Sequence, residues 1–163
     1  MGRDEAPASV GFPAIEELMP HRGTVVLLGE ILRHDSASTD VRVSISQQKW
    51  LKRADGSVAG SLAIEYMAQC VAAHEGLLAL DEGRPPPTGF LVGVTGLRLE
   101  VASFAAGAEL VVRSRRVRGR PSLGALSHQC QLFLASSEGL GDTPGALLAA
   151  GRLSVSVPRT TVE

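Results

Sequence analysis

Gly60-Ser61-Leu62-Ala63-Ile64-Glu65-Tyr66-Met67-Ala68-Gln69-Cys70-Val71-Ala72-Ala73-His74-Glu75-Gly76-Leu77-Leu78-Ala79-Leu80 reads as a helix that is apolar nearly all the way round. Such a helix has to be enclosed by other structure. A carboxylate in its first turns, Glu65, is then taken out of water and needs a reason to be there. Asp81-Glu82-Gly83-Arg84-Pro85-Pro86-Pro87 ends the helix, because glycine and three prolines do not continue it. Ahead of it, residues 25–32 and the alternating 41–45 read as strands. Behind it, 89–101, 108–117, 125–135 and 146–157 do the same, with turn residues between them. Two strands, one long helix and four strands predict an α+β fold in which a curved antiparallel sheet wraps one long central helix. A single sheet leaves a flank of that helix open, so a second subunit is expected to cover it, with a homodimer as the default.

The 163 residues fit one domain, placed at 12–158 between tails at 1–11 and 159–163, and 136–144 reads as a flexible hairpin loop. A net charge of -1 carries no general nucleic-acid footprint. Cys70 and Cys130 lie inside apolar segments, which suits reduced core thiols and predicts no disulfide. The polar, acidic N-terminus lacks the basic start and apolar run of a signal peptide. Glu65, Gln69, His74 and Glu75 interrupt the helix too often for a bilayer. A cytoplasmic protein without a membrane or nucleic-acid partner is expected.

Three segments, in this order, resemble those of the β-hydroxyacyl-acyl-carrier-protein dehydratases, a hotdog-fold family. They are Leu18-Met19-Pro20-His21-Arg22-Gly23 running into Val25-Val26-Leu27-Leu28, then Gly60 to Gln69, then Gly89-Phe90-Leu91-Val92-Gly93-Val94 ending in Phe104-Ala105-Ala106-Gly107. Glu65-Tyr66-Met67-Ala68-Gln69 together with Pro20-His21-Arg22-Gly23 is closest to the divergent branch associated with aryl-polyene pigment clusters. The resemblance implies two hotdog protomers with their sheets set edge to edge, two acyl tunnels at their interface, and a substrate carried on the phosphopantetheine arm of an acyl carrier protein. It implies no other cofactor and no metal. Glu65 takes the place of the family's helix carboxylate, which works opposite a histidine from the other protomer. That histidine is missing here: the position fourteen residues before Glu65 is Leu51, and no histidine lies between Asp35 and Tyr66.

Dehydration of a β-hydroxyacyl thioester needs a base for the α-proton, donors for the enolate oxygen, and an acid for the departing hydroxide. Glu65 is the candidate for proton transfer, able to serve both protons from one face. Gln69, one turn on, is placed to orient it or to satisfy local backbone. His21 is a possible substitute base. Backbone N–H groups at Gly60 and Ser61 are candidate oxyanion donors, since a helix start has unpaired donors. Tyr66, Trp50, Phe90 and Gly93 complete the expected substrate surface, with Trp50 at the tunnel mouth or against the partner. Arg98, Arg113, Arg115, Arg116 and Arg118 read either as a solvated hairpin tip or as a dock for an acidic carrier, Arg98 joining if its strand neighbours that of the others.

Cys70, His74, His128 and Cys130 imitate a zinc set, but their spacing matches no common metal motif, and core thiols with satisfied imidazoles are the expectation. The expected activity is a hydro-lyase of the 3-hydroxyacyl-carrier dehydratase type. Two alternatives stay open: a non-catalytic or weakly active subunit of a heterodimeric dehydratase, and a hotdog thioesterase.

Overall fold

The computed structural model describes residues 11–136 and 144–158. Residues 1–10 of the tail expected at 1–11, the whole tail expected at 159–163, and 137–143 of the expected hairpin loop lie outside them. The chain forms β1 (Ile31–His34), β2 (Ser38–Ser44), β3 (Val58–Ala59), α1 (Ala63–Asp81), β4 (Phe90–Leu99), β5 (Ser103–Phe104), β6 (Glu109–Arg120), β7 (Ala125–Leu134) and β8 (Leu147–Ser156). Six strands make one antiparallel sheet in the order β1-β2-β6-β7-β8-β4. The helix packs on one face of it, mainly on β6, β2 and β7. Alternation puts Val41 and Val43 of β2, Leu110 and Val112 of β6, and Cys130 and Leu132 of β7 into the core with Tyr66, Met67 and Cys70 of the helix. Among the described residues no helix is long and apolar enough to cross a membrane.

The helix starts from a 3₁₀ turn at Gly60–Leu62 without a side-chain cap, and a two-stranded ribbon of β3 and β5 lies beside that start. It stops where Gly83 turns to φ 68° and the Glu82, Gly83 and Arg84 amides return to carbonyls of its last turn. Gly76 is needed for a different reason: a Cβ there would stand 2.5 Å from the Leu18 carbonyl oxygen. The N-terminal segment crosses the helix at that point, and this carries Pro20 and His21 over the helix face.

The strand expected at 25–32 is only partly a strand. Residues Gly23–Val25 form a 3₁₀ turn and only Ile31–His34 joins the sheet as β1. The run instead buries Leu27 and Leu28. Its backbone is satisfied by side-chain amides: Leu27 N–H donates to Gln69 Oε1 at 2.9 Å, and Gln48 Nε2 donates to the Leu27 carbonyl at 3.0 Å.

β4 is an edge strand paired only with β8. Phe90, Leu91, Val92, Leu97 and Leu99 on it are all exposed, Val92 by 70%. A long apolar edge with its ladder groups unpaired invites another strand.

Candidate active site

A cavity of about 170 Å³ runs beside the helix face formed by Glu65, Ala68, Gln69, Ala72 and Glu75, with Pro20 and His21 on one side and Leu91, Leu126, Val155 and Val157 on the sheet side. Steps of three and four residues keep those helix positions on one stripe. The two carboxylates are ten residues apart, roughly 15 Å along the axis at the usual rise. The channel between them is floored by the small side chains of Ala68 and Ala72, which leave room for a guest.

At one end Glu65, half-buried, accepts a 3.0 Å hydrogen bond from Gln69 Nε2 on Oε1. Gln69 also donates to the Val25 carbonyl at 2.7 Å and accepts from Leu27 N–H. One buried amide therefore fixes both the carboxylate and the segment arriving from His21. The Nδ1 of His21 is buried and has no hydrogen-bond partner among the described residues. The sequence-selected Glu65, Gln69 and His21 thus meet at one cavity.

At the other end lies a carboxylate that the sequence reading passed over. Glu75 is 4% exposed; it accepts from Arg116 Nε at 2.9 Å, pairs with Arg116 Nη2, and takes His128 Nε2 at 3.0 Å. Burial raises its pKa, but the hydrogen bonds from His128 and Arg116 outweigh this and hold it below the ordinary carboxylate value. Its position ten residues after Glu65 was a legible signal. His128 Nδ1 in turn meets Ser114 Oγ at 2.8 Å. Ser114 and His128 are fully buried, so the serine of this serine–histidine–glutamate string has no access to a substrate, and only Glu75 borders the channel. Beside it, His74 Nδ1 meets Thr39 Oγ1, which also meets His34 Nδ1; burial pushes the His74 pKa down to about 4.

Several expected site residues lie elsewhere. Tyr66 is fully buried against Phe104, its hydroxyl without a partner among the described residues, because its helix face points into the core. Gly60 N–H is engaged by the Ala102 carbonyl at 2.9 Å, so it is not free to hold an oxyanion; a Cβ there would meet Val101 O at 2.6 Å, and that close approach explains the glycine. Ser61 is exposed beside it and outside the cavity. Trp50 is exposed, its indole donating to the Thr24 carbonyl at 3.2 Å, and Phe90 and Gly93 lie on the β4 edge; none of the three lines the cavity.

The arginines do not form one patch. Arg98 is on β4, separated from β6 by β7 and β8, and pairs with Glu100. Arg113 forks onto Asp40 at 2.8 and 2.9 Å, and Arg116 is committed to Glu75. Arg115 and Arg118 are exposed, without an ion pair among the described residues. Cys70 and Cys130 are free and buried; burial pushes the Cys70 thiol up and the Cys130 thiol up to about 12. No cluster among the described residues could hold a metal ion.

Residues 13–163 match the family described as ApeP-like, ApeP dehydratase. No curated protein matches the chain. Among solved structures, the dehydratase heterocomplex ApeI:P from Xenorhabdus doucetiae superposes with a TM-score of 0.79 at 21% identity, covering 92% of this chain and 94% of that one. AziG of S. sahachiroi gives 0.56 at 18% identity over 82% and 92%. A hypothetical thioesterase with coenzyme A from Streptococcus pneumoniae TIGR4 gives 0.54 at 12% over 79% and 84%. These likenesses make the fold a hotdog, one long helix against a large antiparallel sheet.

Proposed function

The chain belongs to the ApeP-like dehydratase family, and from that premise we propose that it is a working subunit of a heterodimeric dehydratase. The reaction removes water from a 3-hydroxyacyl thioester carried on the phosphopantetheine arm of an acyl carrier protein. One observation carries this reading: Glu65, clamped by Gln69, and His21, whose Nδ1 has no partner among the described residues, line the same channel. His21 takes the α-proton. The Glu65 carboxyl hands a proton to the β-hydroxyl, the C–O bond breaks, and water leaves as the α,β double bond forms. Transfer of the proton from the imidazolium to the carboxylate restores both groups. Neither group needs a metal or redox cofactor for these steps.

The heterodimer is supported by two features. The related ApeI:P is a heterocomplex, and the β4 edge beside the channel exposes apolar side chains that a second hotdog strand would cover. Leu51, standing where the family histidine is expected, favours a second reading in which this chain shapes the tunnel and its partner does the chemistry.

The test is to purify the heterocomplex and follow product mass from a 3-hydroxyacyl thioester, with Glu65→Gln and His21→Ala introduced in this chain. Loss of at least about a hundredfold in enoyl formation for both, with the complex intact, supports the assignment. Undiminished turnover in Glu65→Gln assigns this chain to the non-catalytic role. Release of free thiol instead of an enoyl product identifies a thioesterase.

A further inference from the structure

Beyond the Glu75 end of the channel lies a larger open groove of about 1120 Å³. Pro87 and Val157 line both spaces, so the two adjoin. Its walls hold Pro85, Pro86, Pro87, Pro121 and Pro158. Five fixed φ angles make a stiff, preformed surface that loses little freedom when something binds. Three guanidiniums, Arg84, Arg116 and Arg120, line this groove against one carboxylate, Glu82, with Thr88 and Ser122 adding hydroxyls.

Two of the three cations are paired within the chain, yet neither pair uses the whole guanidinium fork. Arg84 gives Nε and Nη2 to Glu82, and Arg116 gives Nε and Nη2 to Glu75 on the channel side, so each retains N–H donors of its fork. Arg120 is exposed and has no ion pair among the described residues. A planar fork suits a phosphate, which accepts paired hydrogen bonds.

We propose that this proline-walled groove seats the phosphate of the thioester arm, with Arg120 and Arg84 as its main contacts. The arm then passes between Pro87 and Val157, over Ala72 and Ala68, and presents the thioester near Glu65, roughly 15 Å along the helix. This rests on the dehydratase reading for the identity of the arm. It adds where the anion binds and the direction in which substrate enters.

The test measures binding to the Glu65→Gln heterocomplex, where turnover is blocked, using one 3-hydroxyacyl group on pantetheine, on phosphopantetheine and on coenzyme A. The phosphorylated arm is expected to bind about tenfold tighter than pantetheine, as a charge-assisted contact of this kind supplies. Arg120→Gln and Arg84→Gln, each and together, should bring that ratio to within about twofold while leaving pantetheine affinity unchanged. Both side chains are surface-exposed, so folding is not at stake. Coenzyme A equal to phosphopantetheine fits an arm carried by a protein; tighter binding of coenzyme A, lost in the same variants, still supports the anion seat but assigns it to the nucleotide-borne form. Equal affinity for pantetheine and phosphopantetheine in the parent complex, or a ratio that survives both substitutions, overturns the groove assignment and leaves the dehydratase reading standing. Failure of all three thioesters to bind overturns both.

Discussion

At the scale of single residues, Gln69 shows how a buried polar group couples stability to the site. Its amide is 1% exposed and serves Leu27 N–H, the Val25 carbonyl and the Glu65 carboxylate at once. Gln69→Leu keeps the volume but strands the buried Leu27 amide and takes the donor from the part-buried Val25 carbonyl, with an expected cost of about 1–3 kcal/mol in urea unfolding. Enoyl formation should fall as well, because the Glu65 carboxylate loses its orientation. His74 gives a pH signature. Burial, helped by His128, His34 and Arg116 and opposed by Glu75, moves its pKa from 6.5 to about 4 in the folded protein. As pH falls through that window the unfolded chain binds a proton that the folded chain refuses. Stability therefore drops on acidification, by up to about 3 kcal/mol from this group. Glu75 acts at lower pH: its depressed pKa means that its stabilisation is present above its ordinary value of 4.5 and is lost as pH falls through the folded one. Unfolding followed between pH 7 and 4 should be steeper in the parent than in His74→Gln.

At the scale of elements, the helix and the N-terminal segment are joined at one glycine. Gly76→Ala would raise helix propensity by about 1 kcal/mol. The new Cβ would nevertheless lie 2.5 Å from the Leu18 carbonyl, where backbone has to move. The expected outcome is net destabilisation, with His21 displaced from the channel. Thermal unfolding and turnover should fall together in Gly76→Ala, and an unchanged melting temperature would show that the segment moves freely. The run from Val25 to Leu28 makes a related point. Its composition is that of a strand, yet side-chain amides from Gln69 and Gln48 take its ladder groups, and the tertiary setting overrides β-propensity.

At the scale of the whole molecule, the fold is unfinished along β4. An exposed strand with Phe90, Leu91, Val92, Leu97 and Leu99 on it invites the proposed partner strand by the same physics that makes it an aggregation risk when bare. Val92→Asp places a charge at the most exposed of these positions without touching the chain's own core. It is expected to separate the proposed heterodimer on size-exclusion chromatography and to abolish turnover. A variant that remains fully associated would locate the interface away from this edge.

How much of this could be read beforehand divides along a physical line. The apolar circumference of residues 63–81 demanded enclosure, and the alternating runs after it demanded an antiparallel sheet; both are local periodicities that a sequence displays directly. The same stripe put Glu65 and Gln69 on one face, and it also held Glu75, whose spacing was there to be counted. Tyr66 went the other way because the azimuth at which a helix meets its sheet is set by packing. The helix backbone amide of Gly60 was taken by Ala102, a partner forty-two residues away. Arg98 and Arg113 were parted by two intervening strands, since strand order follows from which edges pair and not from chain order. Sequence alone determined the periods, the breaks and the chemistry available. Only the tertiary structure decided which of those groups share a cavity, because contacts between distant segments depend on strand order and helix rotation, and neither leaves a local trace in the chain.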